Sequence, residues 1–263
     1  GPHRWMAIPF QARQQPECLI IAISHSMSRK ITIVSATENE IDPLLNYLKI
    51  HAEHHSFQTY QLHGLLIDIL YSGIGILHTS YSLMEYLSHR HPDGWIQAGI
   101  GGAFDLSLAI GDVFQIKSEM ISGFGAEDKD GIIMDPFTLG WSDPDGFPFT
   151  GGLLACPYET TTDLFLASGM TTFYAHGSAD QIAQLKNQPN GQIENMEGAA
   201  FFYISLLKKI PFLSIRSISN LVETRDTTKW KMDLAITNLN DVLIELFEAA
   251  HFNVDKLFRH ATI

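Results

Sequence analysis

The chain has 263 residues, 29 acidic against 17 basic, for a formal charge of −12 and a pI near 5.3; 45% of it is hydrophobic and its mean hydropathy is +0.03. That length and apolar fraction can bury one large core, while the acidic balance argues against nucleic acid or an anionic membrane as partner, since both reward clustered Lys and Arg. The two cysteines, Cys18 and Cys156, form neither a Cys-x-x-Cys spacing nor a framework of bridges, so a reducing cytoplasm is the natural compartment and neither thiol sits in a nucleophile motif.

Residues 1–29 show no sustained period and read as an extension or mobile arm outside the folded domain, with Met27 as an internal start; one domain is expected over 30–263. The apolar run 18–23 is flanked by Glu17 rather than a basic region and is too short to span a bilayer. Residues 31–36 read as a strand. Thr37-Glu38-Asn39-Glu40 then leads into a helix carrying Ile41, Leu44, Leu45 and Leu48, with Pro43 tolerated in its first turn. Two carboxylates, Glu38 and Glu40, thus stand at the carboxyl end of the first strand, where the helix dipole alone would also favour them. His51, His54 and His55 lack the His-Glu-x-x-His order and read as surface histidines at a helix end, like His89 and His91; no metal is assigned.

Residues 65–71 form the next expected strand, and Ser72-Gly73-Ile74-Gly75 turns it into a helix reaching about His89. A dinucleotide fingerprint would need glycine where His78 stands. Residues 95–98 are a strand opening into Gly99-Ile100-Gly101-Gly102-Ala103-Phe104, where the fingerprint again fails at its last glycine. Glycines at two strand ends let the backbone approach a flat ligand or a sugar; tight turns of positive φ would use them equally. Ile110-Gly111-Asp112 is a turn before a strand, its Gly-Asp expected to be structural. Residues 122–150 are rich in Gly, Asp and Pro with Phe124, Phe137, Trp141, Phe147 and Phe149 interspersed, a loop suited to lining a pocket or a subunit contact. Residues 168–174 form a further strand-end segment whose Tyr174 is suited to stacking on a purine. Phe173 is as well explained by core packing, and a helix follows over 178–185.

From Glu194 to Asn220 the chain reads Glu-Asn-Met-Glu-Gly-Ala-Ala, an apolar helix to about Leu207, a buried strand over 211–215, and then Arg216-Ser217-Ile218-Ser219-Asn220. A carboxylate, Glu197, at the start of an apolar helix, and an Arg and an Asn at the carboxyl end of a strand, occupy the places where open α/β sheets hold ligands. The bland reading of Glu197 is a first-turn residue favoured by the dipole. A polar segment over 222–231 precedes a final amphipathic helix over 233–247, with Leu234, Ile236, Leu239, Val242, Leu243, Leu246 and Phe247 as its apolar face. Strands alternate with helices throughout, with no internal repeat or linker, which gives a three-layer α/β/α sandwich with a central mixed sheet.

Asn195-Met196-Glu197-Gly198-Ala199-Ala200 followed by Arg216-Ser217-Ile218-Ser219-Asn220 resembles the paired signature of the nucleoside phosphorylase and nucleosidase superfamily, over roughly residue 30 to the end. The wording is most similar to the futalosine hydrolases of menaquinone biosynthesis, with the methylthioadenosine/S-adenosylhomocysteine nucleosidases as their sister group. The resemblance implies hydrolysis of the N-ribosidic bond of a purine nucleoside, with futalosine giving hypoxanthine and dehypoxanthine futalosine. It implies no cofactor, and a homodimer or larger oligomer in which a neighbour closes the 5′ side. It places Glu40 as the base that activates water, Glu197 on the ribose hydroxyls with Met196 and Asn195 beside it, and Arg216 on the water or on Glu40. Gly73 falls by the ribose, and Gly99, Ile100, Gly101 and Tyr174 along the base. Asn220 stands where the sister nucleosidases carry an Asp that protonates N7 of adenine; an amide offers a donor and an acceptor without a proton to deliver, which suits a 6-oxopurine. A purine nucleoside phosphorylase would need a phosphate cradle, and no arginine lies on either glycine segment. A non-catalytic nucleoside-binding protein would not need Glu40.

Overall fold

The computed structural model describes residues 29–56, 58–129, 131–159, 162–185, 190–224, 226–249 and 254–260. The apolar run 18–23, with Cys18 and Met27, lies outside the described residues. In chain order the elements are β1 (Lys30–Ser35), α1 (Glu38–His51), β2 (Glu53–Ser56), β3 (Thr59–Leu62), β4 (Leu65–Tyr71), α2 (Ile76–His89), β5 (Gly94–Ala103), β6 (Val113–Ile121), β7 (Ala126–Glu127), β8 (Ile133–Met134), β9 (Phe149–Thr150), β10 (Leu153–Ala155), β11 (Tyr158–Glu159), β12 (Phe165–Thr171), α3 (Ala179–Leu185), β13 (Ile193–Asn195), α4 (Gly198–Lys208), β14 (Phe212–Leu221), α5 (Met232–Glu248), α6 (Val254–Leu257) and β15 (Arg259–His260).

One mixed sheet organises the chain, and its centre is β5, which runs parallel to β1 along its first half and parallel to β14 along its whole length. Beyond β1 the sheet continues through β4, β3 and β2. On the other side β5 pairs antiparallel with β13, β13 with β12, β12 with β6, and β6 antiparallel with β14, which returns to β5. Half of the sheet therefore closes into a five-stranded ring. The expected α/β/α layering holds, with α1 packed on α5 over one face and α2 on α4 over the other. The closure is what the sequence reading lacked, because the short strand β13 that completes it was not recognised.

Two buried clusters flank the sheet. Ile33, Ile41, Leu44, Leu48, Ile67, Leu213, Leu239 and Leu243 fill the α1/α5 side, and Val34, Trp95, Phe201, Phe202, Phe212 and Ile218 fill the α2/α4 side. Trp95 is wholly buried and donates its indole N–H to Ser205 Oγ at 2.8 Å, so its polar atom costs nothing in the core. Burial of each such large side chain stabilises the fold by roughly 1.5–3 kcal/mol before chain entropy is counted.

Several expectations shift. Strand β5 does not end at Ala98 but runs on through Gly99, Gly101 and Gly102, and β14 does not stop at Ile215 but carries Arg216 to Leu221 within it. Both extensions reflect ring closure, which keeps the polar and glycine segments hydrogen-bonded as strand. His54 and His55 lie exposed on edge strand β2, not at a helix end. Residues 122–150 contain three two-residue strands. On α5, Leu234 is 46% exposed, and Ala235 and Asn240 are buried instead; Asn240 Oδ1 accepts from Leu44 N and its Nδ2 donates to Glu40 O, pinning α5 to α1. Phe173 is 56% exposed, which removes core packing as its explanation. Among the described residues no helix is long and apolar enough to cross a membrane, and no cluster of three or more potential metal ligands occurs.

Candidate active site

Three charged side chains far apart in sequence meet where β1, β5, β14 and the start of α4 come together. Glu40 is buried in the first turn of α1. Its Oε2 accepts from Thr37 N at 3.0 Å, from Thr37 Oγ1 at 2.9 Å and from Ser35 Oγ at 3.4 Å, which ties the helix start to the end of β1. Its Oε1 reaches the neighbouring strand and accepts from Ile100 N at 3.1 Å. The residue therefore serves its helix with one oxygen and faces the centre of the sheet with the other. Burial pushes its carboxyl above the usual carboxylate range, against the downward pull of Arg216 and of the Ile100 N–H; Glu197 adds to the upward push.

Arg216 points from the middle of β14 and is 1% exposed. Its Nη1 donates to Ile100 O at 3.3 Å and lies 3.5 Å from Glu197 Oε2. Its Nε and Nη2 have no hydrogen-bond partner among the described residues. Buried guanidinium N–H groups without a protein acceptor are costly, and their chemistry suits the oxygens of a ligand. The space for Arg216 exists because position 99 is glycine: a Cβ there would stand 2.4 Å from Arg216 Nη1 and 3.0 Å from Glu40 Oε1. Gly99 thus serves close approach rather than positive φ, and Gly101, whose Cβ would fall 2.7 Å from the Glu194 carbonyl, does the same. Positive φ belongs to the other glycine segment, at +78° for Gly73 and +88° for Gly75.

Glu197 is 6% exposed and sits just before α4. Its Oε1 accepts from Gly75 N at 3.0 Å, so the turn between β4 and α2 is held to α4 by a carboxylate. Gly75 rather than Gly73 supplies that N–H. Asn195 uses both its amide atoms within the protein: Oδ1 accepts from Glu197 N at 3.1 Å and Gly198 N at 2.6 Å, and Nδ2 donates to Glu119 Oε1 at 2.9 Å. Thr171 Oγ1 accepts from Ala199 N and donates to Glu119 Oε2. The orphan amides of α4 are therefore capped by Asn195 and Thr171, and both hang on Glu119.

Glu119 is wholly buried and was missed in the sequence reading; it is the one carboxylate of β6, but Gln115, Lys117 and Ser118 share that strand, so no local pattern singled it out. Burial pushes its carboxyl up to about 7, while Arg216 and the bonds from Thr171 and Asn195 pull the other way. It also lines a cavity of about 660 Å³ whose walls include Ile76, Phe124, Phe137, Phe149 and Tyr203, so the aromatic loop does border a pocket.

Asn220 is half-buried at the end of β14. Its Nδ2 donates to Leu221 O at 3.0 Å and its Oδ1 accepts from Ser219 Oγ at 2.8 Å. Because a carbonyl can only accept, Leu221 O fixes which end of the amide carries the N–H. Tyr174 is 52% exposed, beside His176 at a ring separation of 4.7 Å, and Met196 is half-buried. Cys156 lies away from this constellation, its thiol pushed up to about 11 by burial.

The sequence profile of the phosphorylase superfamily matches residues 30–248. A 5′-methylthioadenosine/S-adenosylhomocysteine nucleosidase of Staphylococcus saprophyticus is 28% identical over 207 residues, covering 73% of this chain and 87% of that protein. A futalosine hydrolase of Streptomyces coelicolor is 27% identical over 186 residues, covering 68% of this chain and 77% of that protein. Among solved structures, the 5′-methylthioadenosine/S-adenosylhomocysteine nucleosidase of Colwellia psychrerythraea in complex with adenine superposes with a TM-score of 0.66 at 20% identity, covering 90% of this chain and 99% of that one. The futalosine hydrolase of Helicobacter pylori superposes with a TM-score of 0.62 at 18% identity, covering 84% and 100%. At these identities the structural likenesses speak for the fold.

Proposed function

Since the chain belongs to the phosphorylase superfamily, we propose that it hydrolyses the N-ribosidic bond of a purine nucleoside, and that Glu40, Glu197 and Arg216 carry the reaction. The observation behind this reading is the meeting of two buried carboxylates with a buried arginine, two of whose nitrogens have no partner among the described residues. Glu40 takes a proton from the attacking water, with its Oε1 on the sheet side of the helix start. Glu197 receives the ribose hydroxyls and its charge favours an oxocarbenium-like centre, with Met196 against the sugar. Arg216 orients the water through its free N–H groups. The glycine segments by the ribose and the base, Gly73 to Gly75 and Gly99 to Gly101, bring backbone rather than side chain to the ligand. Tyr174 offers a ring to the base, and the aromatic cavity takes the group on the 5′ carbon.

Two readings of the base each have support. Methylthioadenosine/S-adenosylhomocysteine nucleosidases predominate among the similar proteins, which favours an adenine nucleoside. Asn220 favours a 6-oxopurine such as the hypoxanthine of futalosine, because its amide is locked by Leu221 O and Ser219 and has no proton to deliver. The test is to incubate the protein with futalosine, inosine and methylthioadenosine, with and without phosphate, and to repeat it with Asn220→Asp. Free base and a free reducing ribosyl product are expected without need of phosphate; ribose 1-phosphate as the main product would make the enzyme a phosphorylase. On the amide argument, the wild type prefers futalosine over methylthioadenosine, and Asn220→Asp lowers that preference tenfold or more, since a fixed polar mismatch discriminates by large factors. A wild type preferring methylthioadenosine establishes the nucleosidase reading, and an unchanged preference in the variant removes Asn220 from base recognition.

The same reading includes a second copy of the chain. Leu77, Tyr81 and Met84 form an exposed stripe on α2, continued by Ile74, beside Tyr203 and Leu207 on the neighbouring α4, next to the cavity. Light scattering is expected to give a dimer or a larger closed oligomer, which Tyr81→Glu weakens; a monomer at micromolar concentration would count against it.

A further inference from the structure

Glu197 stands at the N-cap of α4, where a carboxylate is ordinarily drawn onto the free N–H groups of the first helical turn. It makes no such bond: its Oε1 accepts from Gly75 N and its Oε2 faces Arg216. The amides it would cap are already taken. Asn195 Oδ1 accepts from Gly198 N at 2.6 Å, and Thr171 Oγ1 accepts from Ala199 N at 2.7 Å.

Glu119 sets the direction of both acceptors. An amide and a hydroxyl each carry donors as well as acceptors, so either could turn a proton toward α4 and leave the helix amides unserved. An ionised carboxylate only accepts. Glu119 Oε1 receives the Asn195 Nδ2 proton at 2.9 Å and its Oε2 receives the Thr171 hydroxyl proton at 2.9 Å, which turns the oxygen lone pairs of both relays toward the helix. The register puts these side chains on one face of the sheet: Glu119 pairs with Gly169 across β6 and β12, Thr171 lies two residues further along β12, and Thr171 pairs with Asn195 across β12 and β13. The carboxylate has room there because two positions lack a side chain. A Cβ on Gly169 or on Gly198 would overlap it, and neither glycine has a positive φ that would otherwise call for one. Gly198, which follows Met196-Glu197 in the sequence wording, is thus the space for Glu119.

We propose, on the basis of the nucleosidase reading above, that Glu119 is a positioning residue: through Asn195 and Thr171 it caps α4 in place of Glu197, and so leaves the Glu197 carboxylate free to receive the ribose hydroxyls. Without the relay through Thr171, Ala199 N loses its acceptor. The carboxylate at the N-cap then turns from Gly75 and Arg216 onto that amide, because the helix N-terminus attracts negative charge and the bond formed is charge-assisted. The sugar loses its partner while the helix keeps its cap.

The test is the preference for ribose. Thr171→Val keeps the shape of the side chain and deletes the hydroxyl, Glu119→Met keeps the length and deletes both acceptors, and Thr171→Ser keeps the relay. Each is assayed on the preferred purine nucleoside and on its 2′-deoxy analogue, whose greater intrinsic lability cancels in the comparison between variants. The ratio of kcat/KM for the ribonucleoside to that for the deoxynucleoside is expected to fall about tenfold in Thr171→Val and in Glu119→Met, the worth of one helix-capping bond, and to keep its wild-type value in Thr171→Ser. In a Glu197→Gln background the same substitutions leave the ratio where Glu197→Gln puts it, since the positioning acts only through that carboxylate. An unchanged ratio with equal losses on both nucleosides, or a further fall in the Glu197→Gln background, would overturn the role and make Glu119 a stability element only. A wild type that cleaves no purine nucleoside would overturn the nucleosidase reading itself. The crystal structure of Thr171→Val then decides the positioning alone: the Glu197 carboxylate on Ala199 N upholds it, and an unmoved carboxylate overturns it.

Discussion

Glu197→Gln is expected to lower kcat/KM for the preferred nucleoside by about a hundred- to a thousandfold, the range for loss of one preorganised electrostatic partner of a transition state, or about 2.7–4 kcal/mol. The substitution keeps the shape of the side chain and an oxygen for Gly75 N, so the turn before α2 stays docked. What it removes is the charge. That charge lies in a pocket from which water is largely excluded, where a partner at about 4 Å is worth nearer 4 kcal/mol than the 1 kcal/mol of bulk water. Arg216 loses its 3.5 Å partner but keeps Glu40 and Glu119 nearby, so the fold is expected to survive with a lowered Tm rather than collapse. The paired measurements are steady-state kinetics and thermal unfolding. A near wild-type rate together with a falling Tm would mean that the residue serves only the start of α4.

The parts of this molecule that were legible in its sequence are those specified by local patterns. Strand β1, helix α1, helix α2 and the apolar body of α4 follow from periodicity and from their first-turn residues, and their bounds lie close to the expected ones. The ring of strands was not legible, because it depends on Ile193 to Asn195, three residues too short to show alternation, bridging β5 and β12. The same closure explains why Arg216 and Asn220 were expected past the end of a strand: a polar run looks like a loop unless its partners are known, and here β5 and β6 flank it. The residues of the candidate site were found through their wording, not through chemistry readable at any one position. Glu119 and Thr171 lack such wording, and their place beside the constellation comes from burial and from partners far along the chain. The glycines were half legible: close approach and positive φ both occur, but at Gly99 and Gly75 respectively, and only the side chain of Arg216 tells them apart.

Glu40→Gln is the sharpest test, because activity and stability are expected to move independently. As general base, Glu40 should account for about a hundred- to ten-thousandfold in turnover, and an amide cannot accept the proton of water. The effect on stability follows from the direction of its titration. Its carboxyl is held above the ordinary value chiefly by burial, so the folded protein binds that proton more tightly than the unfolded chain does. The stability associated with the group is then fully present below the unfolded carboxylate value and falls as pH rises through the folded one, which means that at neutral pH the ionised carboxylate costs stability. A neutral amide of the same shape removes that cost. Against this, one of the two backbone N–H groups now served, Thr37 N or Ile100 N, loses its acceptor, at about 1 kcal/mol, while the Thr37 and Ser35 hydroxyls can turn to accept from the new N–H₂. The expected outcome is a nearly inactive protein whose Tm at neutral pH equals or exceeds that of the wild type, with the difference shrinking as the pH is lowered toward the ordinary carboxylate range. A functional carboxylate kept at the expense of stability behaves this way. If instead the variant is active, or if it unfolds well below the wild type at neutral pH, Glu40 is a helix cap and the water must be activated by another group.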